Sequence, residues 1–193
     1  FSLEFNKSPT GKFPYIEMNG KKFADTDLII KHIEQDSNIK IDNHLSKEQA
    51  SISTAFVRLC EDSLYWRVLY SRWSDRDNGV WKNIFISTSG LPKLMGSIVY
   101  PTAKRNMARH LGIHFSTLTS NEIYSKVKDD VAAISDFLSS RKYFFNNKVS
   151  MTDIVVFSFL TMLINGSCGK KMEYMLSEYD LSNFMDNMRI FLL

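Results

Sequence analysis

"GKFPYIEMNGKKFADTDLIIKHI", residues 11–33, places a proline, a tight turn and a helix start within one short stretch. Phe13, Tyr15 and Met18 fit a short strand. Asn19-Gly20 predicts a two-residue hairpin, because both residues tolerate the positive φ that such a turn demands. Lys21 to Phe23 then pairs back on the first strand. Asp25 and Thr26 offer side-chain acceptors where Leu28, Ile29, Ile30 and Ile33 begin a helical rhythm. The order is strand, turn, strand, capped helix, with Pro14 at the entrance of the first strand, where a strand tolerates proline.

Strand signals are confined to this end of the chain. In "FSLEF", Phe1, Leu3 and Phe5 alternate onto one face. Residues 36–45, "DSNIKIDNHL", are polar and turn-rich and read as a linker. Beyond them the pattern is helical. Ser46-Lys47-Glu48-Gln49 forms a capping box that opens one long helix through Ile52, Phe56, Leu59, Cys60, Ser63, Trp66, Tyr70 and Trp73. Asp75 to Gly79 breaks it. Residues 80–115 read as irregular, or as one or two short helices around Pro92 and Pro101. Thr119-Ser120-Asn121-Glu122 is a second box, followed by Ile123, Val127, Val131, Ile134 and Leu138 at helical spacing. Ser150-Met151-Thr152-Asp153 is a third. It precedes "IVVFSFLTMLI", apolar all round and therefore expected to be the buried central helix, ended by Gly166 and Gly169. A last amphipathic helix covers roughly Leu181 to Leu193. The expected organisation is a small unit at 1–36, a linker at 37–45 and an all-α domain at 46–193.

Composition narrows the function classes. Of 193 residues, 44% are apolar and 23% charged, with 14 Phe, which is a globular balance with an aromatic-rich core. A net charge of +3 is too small to imply nucleic acid. Cys60 and Cys168 form no CxxC pair and suggest neither a disulfide framework nor a zinc site, so a reducing compartment is expected. No apolar run is long enough to cross a bilayer as a helix.

Four features carry chemistry, each beside a plainer structural role. Pro14 is either an ordinary trans edge-strand proline or a cis proline that turns backbone toward a ligand. Asp25-Thr26 is either a helix cap or, by the same physics, a seat for a zwitterionic ligand: helix N–H groups for its carboxylate and Asp25 for its ammonium. Ser150 and Asp153 read as structural capping, with catalysis set aside. Between Asp77 and Glu122 there is no acid, while Lys82, Lys93, Lys104, Arg105 and Arg109 lie in the gap with His110 and His114. That stretch is either a solvated face balanced by acids elsewhere or a surface for anions, meaning membrane headgroups or an acidic ligand. His110 and His114 are spaced i, i+4, but Gly112 lies between them and no acidic or thiol third ligand is near, so no metal is assigned.

The layout resembles the cytosolic glutathione S-transferase fold: a thioredoxin-like α/β unit followed by an all-α domain. "KFPYIEMNGKKFADTDLIIKHI" is similar to the second half of the thioredoxin-like unit. The resemblance implies that Pro14 is cis, and that Phe13, Pro14, Asp25 and Thr26 form a glutathione-binding edge with Asp25-Thr26 holding the γ-glutamyl end. Ser150 and Asp153 match the family's capping motif on the core helix. "HLSKEQASISTAFVRLCEDSLYWRVLYSRW" and "RKYFFNNKVSMTDIVVFSFL" are similar to the failed axon connections branch, which includes cadmium-responsive proteins and is akin to metaxins. Tyr65-Trp66 and Trp73 are typical of that branch. By the same resemblance the chain is N-terminally incomplete. The side chain that activates the glutathione thiol is expected upstream of Phe1, and no catalytic residue is assigned.

What the resemblance implies about function is a glutathione S-transferase-like protein of the cytoplasm, with a role in axon development or stress response. Its ligand would be glutathione together with a small electrophile, attacked by a thiolate of lowered pKa. The rival is a non-catalytic, metaxin-like adaptor at a membrane surface, placing the protein on an organelle membrane. Homodimerisation is compatible with either.

Overall fold

The computed structural model describes residues 8–11, 14–75, 79–145 and 147–192. Phe13 and the "FSLEF" alternation lie outside the described residues, and so does the Phe13–Pro14 bond through Phe13. The chain divides into two compact units between His44 and Leu45.

In the first unit, β1 (Tyr15–Met18) pairs antiparallel with β2 (Lys21–Ala24), in the register Tyr15↔Ala24, Ile16↔Phe23, Glu17↔Lys22 and Met18↔Lys21. Asn19 (φ 52°) and Gly20 (φ 72°) make the two-residue turn, and both positive φ values match the twist of the strands. Glu17 opposite Lys22 is a favourable cross-strand charge pair. The helix α1 (Thr26–Ser37) follows after one connecting residue. It buries Ile29 and sets His32 against Phe23 of β2, with ring centroids 3.9 Å apart.

The second unit is all-α. Helix α2 (Lys47–Arg58) begins at the Ser46 box: Gln49 N–H donates to Ser46 Oγ at 3.1 Å and Ser46 N–H donates to Gln49 Oε1 at 3.0 Å. The expected single long helix runs on from Lys47 to Trp73, but its winding changes at the centre. Leu59–Leu64 is a π-helical segment, and α3 (Tyr65–Trp73) continues from it. The apolar spacing through this region suits α-helix, so the wider turn is set by packing: it seats Cys60 and Leu64, both 0% exposed, in the main core. Helices α6 (Ser120–Leu138), α7 (Met151–Ile164), α8 (Lys170–Leu176) and α9 (Ser182–Leu192) complete that core. The α7 helix touches α2, the π segment, α3, α8 and α9, as a central helix must. Ser53 of α2 meets Thr152 of α7, oxygen to oxygen, at 2.6 Å.

Residues 80–114 differ most from expectation. They form α4 (Val80–Thr88) and a 22-residue α5 (Lys93–His114) with Pro101 inside it. An interior proline removes one helical hydrogen bond and favours a break. Here the residues around it are held by a second, aromatic core. Tyr100 stacks on Trp73 with centroids 5.9 Å apart and lies 5.5 Å from Phe85, while Leu111 is 1% exposed. Gly96 lets α4 and α5 approach closely; a Cβ there would stand 3.2 Å from Ile86 Cγ2.

Candidate functional site

The hairpin and α1 converge at Asp25, which alone links β2 to α1. Its backbone has φ 76° and ψ 123°, a region that non-glycine residues avoid. The other N-caps with a side-chain box are ordinary: Ser46 has φ −67°, Thr119 −74° and Ser150 −115°. Capping by itself therefore does not require the strained conformation seen at Asp25.

The two carboxylate oxygens of Asp25 are used differently. Oδ1 accepts both from Asp27 N–H at 3.1 Å and from Leu28 N–H at 3.3 Å. The Asp25 carbonyl accepts from Ile29 N–H at 2.9 Å. Of the orphan donors at this helix start, the Thr26 N–H is left over. Oδ2 of Asp25 and the Thr26 hydroxyl make no hydrogen bond among the described residues, and both residues are exposed. A carboxylate oxygen thus stands beside a free N–H and a free O–H at the positive end of a helix. That pairing suits the ammonium and carboxylate of an α-amino acid group. Pro14 is exposed at the entrance to β1.

Ser150 and Asp153 are far apart from that chemistry in kind. Asp153 is 0% exposed and its carboxylate accepts from Phe144 N–H at 2.8 Å, Ser150 N–H at 2.8 Å and the Ser150 hydroxyl at 2.6 Å. Burial pushes its carboxyl above the usual carboxylate range, with these donors opposing the shift. The bond to Phe144 N–H, outside the helix, makes this box an anchor for the preceding loop. Sequence spacing points to Ser150 but carries no signal for Phe144.

Two further polar clusters went unread in the sequence. At the π segment, Ser63 Oγ donates to Asp130 Oδ2 and accepts from Arg67, whose Nη1 lies 3.5 Å from Asp130 and 2.7 Å from the Ser63 carbonyl. Burial lowers the Arg67 pKa and raises that of Asp130, and the cluster ties the π turn to α6. Tyr124 Oη donates to buried Asp75, and Lys171 Nζ sits 4.2 Å from the Tyr124 ring. Burial and the Asp75 carboxylate raise the Tyr124 pKa. Residues that lie far apart in sequence build both clusters, so spacing could not reveal them.

On α5, His114 stacks on Trp66, with ring centroids 4.5 Å apart. Among the described residues no group of three or more His, Cys, Asp or Glu is placed to hold an ion.

Residues 1–78 match the family model for the glutathione S-transferase N-terminal domain, and residues 127–188 match that for the glutathione S-transferase C-terminal domain. The chain belongs to the glutathione S-transferase superfamily. Within it, the first match runs past the division after His44 and through α3. This transferase-family chain is similar to Failed axon connections of Drosophila melanogaster, at 29% identity over 172 residues covering 81% of the chain and 40% of the fly protein. It is 31% identical to the isoprene-epoxide glutathione S-transferase of Rhodococcus sp. (strain AD45) over 79% of the chain and 66% of that enzyme. It is 26% identical to Metaxin-1 of Mus musculus over 82% of the chain and 52% of that protein. The matched segment thus spans less than two thirds of each of these relatives. No solved structure matches the chain.

Proposed function

We propose that the chain binds glutathione at the start of α1. The observation that carries this reading is the strained Asp25, whose Oδ1 caps the helix while Oδ2 stays free beside the Thr26 N–H and hydroxyl. The γ-glutamyl carboxylate would take the Thr26 donors, and its ammonium would face Asp25 Oδ2. Membership of the superfamily supports glutathione as the zwitterion concerned. The bacterial relative's name pairs glutathione with an epoxide, which supports a small electrophile as the second substrate. No thiol-activating residue of this chain is assigned, so Asp25 and Thr26 position the peptide and do not perform the chemistry. The name of the relative Failed axon connections supports a role in axon development.

Calorimetric titration of glutathione into the chain and into Asp25→Ala and Asp25→Asn tests the binding. A charged hydrogen bond is worth about 1.5–3 kcal/mol, so each variant is expected to bind about 10-fold or more weakly. Asp25→Asn keeps an Oδ1 cap and separates charge from capping. Affinities equal to wild type would reduce Asp25 to a cap.

A second reading, a non-catalytic adaptor at a membrane surface, is favoured by the exposed face of α5.

A further inference from the structure

The face of α5 that turns away from the aromatic core is both apolar and basic. Leu94, Ile98, Thr102, Arg105, Arg109 and Ile113 recur every three or four residues, so they form one stripe along the helix. Every one of them is exposed, and Leu94 is 75%, Ile98 67% and Ile113 80% accessible. Met95 and Val99 widen the apolar end. The opposite face, with Gly96, Tyr100 and Leu111, is buried, so this helix has an inward side and a large unpartnered outward side.

Charge selects what covers it. From residue 79 to residue 121 the chain has no Asp or Glu. Lys82, Lys93, Lys104, Arg105 and Arg109 make no ion pair among the described residues. A second copy seated on this face would bring cation against cation. Exposed aliphatic side chains flanked by unpaired Lys and Arg are what an in-plane helix presents to a bilayer with anionic headgroups.

We infer that the outward face of α5 docks the protein on anionic lipid bilayers, with Leu94, Met95 and Ile98 entering the acyl boundary and Arg105 and Arg109 meeting the headgroups. This rests on the membrane-surface reading and adds to it the surface and the lipid charge. Among the described residues no helix is long and apolar enough to cross a membrane.

Sedimentation of the whole chain with phosphatidylcholine vesicles, with and without 30% phosphatidylserine, tests the inference. Wild type is expected to pellet with the anionic vesicles only, and less so as salt rises. Arg105→Ala/Arg109→Ala should lower partitioning about 30-fold, at about fivefold per basic residue, and Leu94→Asp/Ile98→Asp should abolish it. As a second measurement, Ile98→Cys can carry an environment-sensitive dye, because Cys60 and Cys168 are 0% and 1% exposed; its emission should shift blue on anionic vesicles. Wild-type binding that both double variants retain in full would overturn the α5 face while leaving membrane association standing. No binding by wild type to either vesicle would overturn both. A wild-type dimer that Leu94→Asp/Ile98→Asp converts to monomer would assign the face to a second copy and overturn the lipid assignment.

Discussion

Replacing Asp153 by alanine should destabilise the α domain well beyond the loss of an ordinary helix cap. The carboxylate is 0% exposed and accepts from Phe144 N–H, Ser150 N–H and the Ser150 hydroxyl. After truncation the hydroxyl can turn to another acceptor, but the two backbone N–H groups cannot. Each orphaned buried donor costs about 1–3 kcal/mol. Relief of the desolvation that raises the Asp153 pKa offsets part of this. A net loss of about 3 kcal/mol is expected. Asp153→Asn keeps one acceptor oxygen and should fall about midway. Ser46→Ala, at the exposed box of α2, should cost about 1 kcal/mol. Urea unfolding followed by tryptophan fluorescence gives all three values, since Trp66 and Trp73 lie in the same unit. If Asp153→Ala costs no more than Ser46→Ala, the anchoring bond to Phe144 contributes nothing and the argument fails.

Burial, with the nearby Asp130 and Glu61 carboxylates, pushes the Cys60 thiol up from 9.0 to about 12. The folded state therefore holds the proton more tightly than the unfolded chain, so this stability is full below pH 9 and lost as pH rises toward 12. By pH 10 wild type should have lost about 1.4 kcal/mol more than Cys60→Ala; parallel pH profiles from 8.5 to 10 would contradict this. On α5, Gly112→Ala should stabilise by about 1 kcal/mol, because nothing lies within 4 Å of its added Cβ and helical propensity improves. Gly96→Val should cost about 1–3 kcal/mol by forcing α5 against Ile86, and thermal melts that rank the two variants otherwise would refute the close α4–α5 packing.

What could be read in the sequence was local. Asn19-Gly20, Asp25 and the boxes at Ser46, Thr119 and Ser150 each act over three or four residues, and each structure follows from the backbone donors they satisfy. What escaped was decided by distant partners. Pro101 argued for a break, but Trp73 and Phe85 hold Tyr100 and the helix continues. The spacing through Leu59 to Leu64 fits an α-helix, and only the packing of Cys60 and Leu64 reveals the π turn. The basic stretch was equally compatible with neutralisation in space. The structure places no carboxylate in an ion pair with its lysines and arginines among the described residues.

Asp25 is where stability and function separate most clearly. In the one-residue connection between β2 and α1 the backbone stands at positive φ, a conformation that glycine adopts without a Cβ penalty. Aspartate at φ 76° and ψ 123°, outside the allowed regions for a side-chain-bearing residue, costs about 1–3 kcal/mol. Its gain over glycine as an N-cap is only a few tenths of a kcal/mol. On folding energy alone, glycine is the better residue at this position. Its capping oxygen does not explain the difference, because Oδ1 takes both helix donors by itself. The remaining distinction is a free, charged Oδ2 held at a fixed place beside Thr26. Strain that folding does not require fits a position held ready to meet a cation on a ligand.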